Sequence, residues 1–117
     1  MRLLILIVDD EPGIREVLGD YLADEGYRVR TAQDGHEALA AAIAEPPDVV
    51  LSDVTMPRMN GVELIHRLRA RGQDVPVVLI SANYAAVDLP GVRFLTKPFD
   101  LDAITAAIEM SLADRPP

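Results

Sequence analysis

The sequence predicts one α/β domain, a doubly wound parallel sheet of five strands with helices on both faces. Three observations predict it. Five short segments read as strands, and the first, a continuous apolar run rich in β-branched residues, reads as buried on both faces. Stretches with apolar residues at helical spacing separate the first four of them. The links are short, and glycine and proline punctuate them.

Leu3 to Val8 is the first such run. Pro12 then sits where the first turn of a helix tolerates proline. Ile14, Val17, Leu18, Tyr21 and Leu22 recur on one helical face, and Gly26 is a stop. Arg28 to Thr31 is a shorter strand. Asp34 is placed to cap a helix that runs through Ala44, with Ala38, Leu39, Ala42 and Ile43 inward. Pro46 and Pro47 end it. Val49 to Ser52 is the third strand, and Asp53 to Asn60 a loop containing Pro57. Gly61 to Arg71 is helical, burying Val62, Ile65 and Leu68, and Gly72 closes it. Val77 to Ser81 and Val92 to Thr96 are the last two strands. Asp100 caps a final helix with Leu101, Ile104, Ile108 and Leu112 inward, and Arg115 to Pro117 is a tail. A crossover helix needs at least about 10–12 residues. The interval between Ser81 and Val92 is too short, so the fourth helix is expected to be one turn around Ala85 to Asp88, or missing.

At 117 residues the chain has room for one domain and buries roughly two thirds of its unfolded surface on folding. It contains no cysteine, which excludes a disulfide scaffold, a thiol nucleophile and a cysteine-held metal. A net charge of -8 repels nucleic acid and anionic lipid. Tryptophan is absent and other aromatics are few, which argues against base stacking. The opening apolar run meets Asp9-Asp10-Glu11 too early for a signal peptide, and a spanning helix needs about 20 apolar residues. A soluble, cytoplasmic protein is expected, with no membrane insertion and no direct nucleic-acid partner. The glycine-rich fingerprints of dinucleotide and P-loop sites are absent.

Charge concentrates at the carboxyl ends of strands. Asp9 and Asp10 follow the first, Asp53 the third and Lys97 the fifth, while Ser81 ends the fourth. In open parallel sheets, ligand sites form beyond those ends, where the winding reverses. In the flavodoxin-like strand order 2-1-3-4-5 the reversal falls between the first and third strands. Asp9, Asp10 and Asp53 then stand side by side. Three carboxylates in one cleft repel each other unless something compensates. Oxygen ligands without His or Cys favour a hard cation such as Mg²⁺. Lys97 is the only lysine beside ten arginines, a compact ammonium where arginine is the habitual choice. Taken singly, each residue has a plainer role: Asp10 as a helix cap, Asp53 as a loop acid, Ser81 as a strand end, Lys97 as a solvated side chain. Their convergence on adjacent strand ends is what argues for a site. His36, His66, Arg67, Arg69 and Arg71 read as solvated, and Met56 and Met59 as packing residues.

Four motifs, in this order and on these strands, carry a resemblance: Val8-Asp9-Asp10-Glu11-Pro12, Asp53-Val54-Thr55-Met56-Pro57-Arg58-Met59-Asn60-Gly61, Ser81-Ala82, and Phe94-Leu95-Thr96-Lys97-Pro98-Phe99. Over nearly its whole length the chain resembles the receiver domain of two-component response regulators.

The resemblance implies that Asp53 is the phosphoacceptor, taking a phosphoryl group from a histidine kinase or a histidine phosphotransfer protein. It implies that Asp9, Asp10, Asp53 and the backbone carbonyl of Thr55 hold Mg²⁺, for which Mn²⁺ can substitute. Ser81 and Lys97 would bind the phosphoryl oxygens. Phe94, in place of the commoner tyrosine, would be the aromatic that turns inward with Ser81. Thr55 and Asn83 would tune the lifetime of the phosphate, and Lys97-Pro98 would be a cis peptide. The readout would be a changed surface that meets a downstream protein. A missing fourth helix would remove much of the face through which many family members dimerise.

The expectation is one receiver domain over residues 1–117 with no output domain, a phosphorylated switch rather than a turnover enzyme. Two alternatives belong to other classes. A haloacid dehalogenase-type phosphatase uses the same parts but wants a second aspartate where Thr55 stands, and a cap domain. An interaction module independent of phosphorylation would not need the full set of site residues.

Overall fold

The computed structural model describes residues 2–82 and 89–114. Its elements in chain order are β1 (Leu4–Val8), α1 (Pro12–Asp24), β2 (Arg28–Ala32), α2 (Gly35–Ala44), β3 (Val49–Asp53), α3 (Gly61–Ala70), β4 (Val77–Ser81), β5 (Val92–Thr96) and α4 (Leu101–Asp114). The strands form one sheet in the order β2-β1-β3-β4-β5, and every pairing is parallel. The expectation for Ala85 to Asp88 lies outside the described residues, as does the tail at 115–117.

The alternation of side chains across each strand divides the core in two. Ile5, Ile7, Val49, Leu51, Val78 and Ile80 face α1 and α4. Leu6, Val8, Val50, Val77 and Leu79 face α2 and α3. β1, β3 and β4 are buried at every position, because helices cover both faces. β2 lies at the edge and exposes Arg28 and Arg30, both paired with Glu45 of the loop after α2. Such charges blunt an edge that could otherwise pair with another chain.

The helix starts follow local chemistry. Pro12 occupies the first position of α1. Asp34 and Asn60 accept the amides of Glu37 and Glu63, both at 2.8 Å, at the starts of α2 and α3. Asp100 Oδ1 accepts the Ala103 amide at 2.7 Å, capping α4.

Two sequence expectations need correction. Val17 and Ile43, read as inward, are 57% and 46% exposed, because the inner stripes of α1 and α2 centre on Leu18 and Leu22 and on Ala38 and Ala42. Arg69, read as solvated, is half-buried and donates to the carbonyls of Gln73, Val75 and Pro90. The plainer role that convergence argued against for Asp10, a cap on α1, is not taken: the start of α1 has no side-chain cap hydrogen bond. The carboxylate that accepts the turn's amide, at Glu11, belongs to Asp9.

Candidate functional site

Register places the ends of the inner strands level. Val8 pairs with Ser52, Asp53 with Ile80, and Ser81 with Thr96. The residues just beyond those ends therefore share one rim of the sheet. The winding reverses between β1 and β3, so Asp9, Asp10 and Asp53 flank the crevice that this reversal opens.

Asp53 ends β3 and is 6% exposed. Its Oδ1 accepts the Thr55 amide at 3.0 Å, and its Oδ2 accepts Lys97 Nζ at 2.9 Å. Asp9 is buried, and its Oδ1 accepts the Glu11 amide at 2.9 Å. Asp10 is exposed. One carboxylate oxygen from each of the three acids lies within 4.8 Å of the others.

The electrostatics record the crowding. Burial pushes the Asp9 carboxyl above its ordinary value of 3.8; the Glu11 amide opposes this, and the charges of Asp53 and Asp10 add to it. The hydrogen bond to Asp53 raises Lys97 above its ordinary 10.5, against a smaller effect of burial. Burial and the neighbouring acids thus disfavour the charged form of Asp9, a cost that a cation held there would offset. The donor set is oxygen alone, from three acids facing one ammonium. These residues fit a hard divalent cation of the Mg²⁺ type.

The other expected residues lie on β4, on β5 and in the loop after β3, apart from one that is not described. Ser81 is buried at the end of β4, and its carbonyl accepts the Lys97 amide at 2.8 Å, tying the two through the main chain. Phe94 is half-buried on β5 and packs against the core under α2 and α3. Thr55 is exposed in the loop after Asp53. The Lys97–Pro98 peptide is cis. Asn83 lies outside the described residues.

Two residues that sequence reasoning missed support the cluster from behind. Arg15 Nη1 donates to the Asp9 carbonyl at 2.6 Å. Its signal was available: a cation near the start of a helix opposes the helix dipole and invites a reason. Gly61 opens α3 directly against Asp53, where an added Cβ would stand 2.7 Å from the Asp53 carbonyl oxygen. Only the folded backbone reveals that approach.

Comparisons with known proteins agree with this arrangement. The model of the response regulator receiver domain family matches residues 5–109. The response regulator MprA of Mycolicibacterium vanbaalenii is 38% identical over 118 residues, covering 96% of this chain and 51% of its own length. The chain thus spans about half the length of the curated relatives it matches. Among solved structures, the chemotaxis protein CheY4 of Vibrio cholerae superposes with a TM-score of 0.89 at 32% identity, over 96% of this chain and all of that one. The response regulator TrrA of Thermotoga maritima, solved in complex with Mg(2+)-BeF, gives a TM-score of 0.84 at 34% identity, over 96% of this chain and all of its own. Among the described residues no helix is long and apolar enough to cross a membrane.

Proposed function

Because the chain belongs to the receiver domain family of two-component response regulators, we propose that Asp53 is its phosphoacceptor and that residues 1–117 act as one phosphorylation-dependent switch. The donor is a phosphohistidine on a histidine kinase or histidine phosphotransfer protein. A carboxylate oxygen of Asp53 attacks the phosphorus, the nitrogen–phosphorus bond breaks, and the imidazole leaves. The output is a protein partner that reads a changed surface. The net charge of -8 supports a protein over nucleic acid as that partner.

The observation that carries this reading is the Lys97–Asp53 contact of 2.9 Å inside a three-acid cluster. Phosphoryl transfer spreads charge over three equatorial oxygens, so catalysis is mostly positioning and charge stabilisation. Asp9, Asp10, Asp53 and the Thr55 carbonyl would hold Mg²⁺, which supplies charge neutralisation for the phosphoryl oxygens; Mn²⁺ can substitute. That TrrA was solved with Mg(2+)-BeF supports this assignment. The Thr55 amide and Lys97 hold the two oxygens of Asp53 in place before reaction. After transfer, Lys97 pairs with a phosphoryl oxygen and the Ser81 hydroxyl moves to donate to another. Phe94 follows Ser81 inward, and β5 with its neighbours changes shape. The population of that state rises by its differential affinity for the phosphorylated site. Thr55 and Asn83, two positions beyond Asp53 and Ser81 in the sequence, set how fast the aspartyl phosphate hydrolyses.

The test is incubation with a small acyl phosphate and Mg²⁺, followed by intact-mass measurement. The reading expects a gain of one phosphoryl group that disappears in Asp53→Asn. Steady turnover of a phosphate ester would instead support a phosphatase, and an unchanged mass would support a module that works without phosphorylation.

A further inference from the structure

The turn that carries Asp9 and Asp10 is held at three points. The Asp9 amide donates to the Ala32 carbonyl at 3.1 Å, anchoring the turn to β2. Asp9 Oδ1 accepts the Glu11 amide at 2.9 Å. The third point is the Asp9 carbonyl, which lies beyond the end of β1 and accepts Arg15 Nη1 at 2.6 Å.

That carbonyl is one edge of the rigid peptide plane joining Asp9 to Asp10. Holding its direction sets the rotation of the plane, and with it the direction in which the Asp10 side chain leaves the backbone. Among the described residues no hydrogen-bond donor reaches the Asp10 carboxylate. Asp10 is also exposed, so packing does not orient it. Its place within 4.8 Å of the oxygens of Asp9 and Asp53 therefore depends on the backbone beneath it.

We propose that Arg15 is a positioning residue for the divalent-cation site: by holding the Asp9 carbonyl it aims Asp10 into the cluster. This rests on the metal site proposed above. Arg15 touches neither the metal nor the phosphoryl group. Ligand-orienting partners of this kind typically change metal affinity by about 10–100-fold when removed. The sign of the effect separates positioning from simple electrostatics. Arg15 is a cation near a cation site, so deleting its charge alone would tighten Mg²⁺ binding. Loss of positioning loosens it.

The test is calorimetric titration of the purified chain with MgCl₂ alone, comparing wild type, Arg15→Met, Asp10→Asn and the double variant. Circular dichroism melts in EDTA show that each is folded. Should Arg15→Met fail to fold, Arg15→Lys, which keeps a donor but loses the planar fork, takes its place. The expected result is Mg²⁺ affinity at least about tenfold weaker in Arg15→Met, with little further loss when the change is made in Asp10→Asn. That non-additivity is the signature of an effect routed through Asp10. Equal or tighter binding by Arg15→Met overturns the proposal, and so does a loss of the same size in both backgrounds. Failure of the wild type to bind Mg²⁺ would instead remove the metal site itself.

Discussion

Lys97 and Asp53, 44 positions apart in the chain, meet in an ion pair of 2.9 Å across the carboxyl end of β4. Two independent supports fix the contact. The Lys97 amide donates to the Ser81 carbonyl, and the Thr55 amide holds the other oxygen of Asp53. The Asp53 side chain is 7% exposed and that of Lys97 29%, so the pair is sheltered without being sealed. Lys97→Met leaves a buried carboxylate beside two others with no ammonium. The phosphorylation rate with a small phosphodonor should fall about 10²-fold, the usual loss on deleting one charge-stabilising donor. Lys97→Arg should also be slow despite its retained charge, because a longer planar fork does not occupy the place of a compact ammonium. Wild-type rates in Lys97→Arg would show that charge alone is enough.

The crowding of acids makes the metal-free protein sensitive to pH in a particular direction. Asp9 is raised above 3.8 in the fold, chiefly by burial. Between its unfolded and folded values the native state binds more protons than the unfolded chain. Stability therefore falls as pH rises through that interval. Asp9→Asn removes this loss while keeping an oxygen for the Glu11 amide. In EDTA, the variant should melt above the wild type near pH 7, and the gap should close as pH falls toward about 4. With Mg²⁺ present the wild type should recover and the variant should not. Parallel melting curves across pH would show that Asp9 carries no such penalty. Lys97 works the other way. Raised above 10.5, it contributes stability that is present below that value and is lost as pH climbs through its folded titration point.

Arg69 and Arg67 test where sequence reading stops. Both lie near the end of α3, where cations suit the helix dipole, and composition does not tell them apart. In the fold, Arg67 makes an exposed pair with Glu63 one helical turn away. Arg69 turns inward and donates to the carbonyls of Gln73, Val75 and Pro90. It thereby ties the end of α3 to the segment entering β4 and to the turn before β5. Arg69→Met should cost about 2 kcal/mol, since the part-buried contacts to the carbonyls of Gln73 and Val75 lose a charged donor. Arg67→Met should cost no more than about 0.5 kcal/mol. Urea denaturation of the two variants checks the difference, and equal midpoints would return Arg69 to the solvated face.

The same contrast explains how much of the molecule was legible in advance. β1, β3 and β4 were readable because burial on both faces demands nearly unbroken apolar runs, and the caps at Asp34 and Asp100 because they act locally. The acid cluster was readable because it follows the ends of adjacent parallel strands, so topology converts sequence position into proximity. Val17 and Ile43 were misread because their apolar stripes are wider than the faces the sheet covers. Arg69 and Arg15 were missed in their roles because both act on backbone carbonyls supplied by turns, which residue type does not name; for Arg15 the one signal was its place near a helix start.

Gly61 is the residue whose role is most invisible in sequence and most exposed to test. It stands at the first position of α3, where its amide donates to the Val54 carbonyl at 2.9 Å. An added Cβ would lie 2.7 Å from the Asp53 carbonyl oxygen, 2.9 Å from Leu79 Cδ2 and 3.2 Å from Val54 Cα. Two of these three neighbours are backbone atoms that cannot rotate aside. Either α3 withdraws or the end of β3 moves, and the second displaces the phosphoacceptor itself. Gly61→Ala should therefore cost about 1–3 kcal/mol as an overpacking substitution. Its phosphorylation rate should fall beyond what the unfolded fraction accounts for. Gly13 supplies the control. It is an exposed helical glycine with nothing within 4 Å of the added Cβ, so Gly13→Ala should raise stability by about 0.5 kcal/mol and leave phosphorylation unchanged. If Gly61→Ala proves as harmless as Gly13→Ala, then the close approach of α3 to Asp53 is not a constraint on the site.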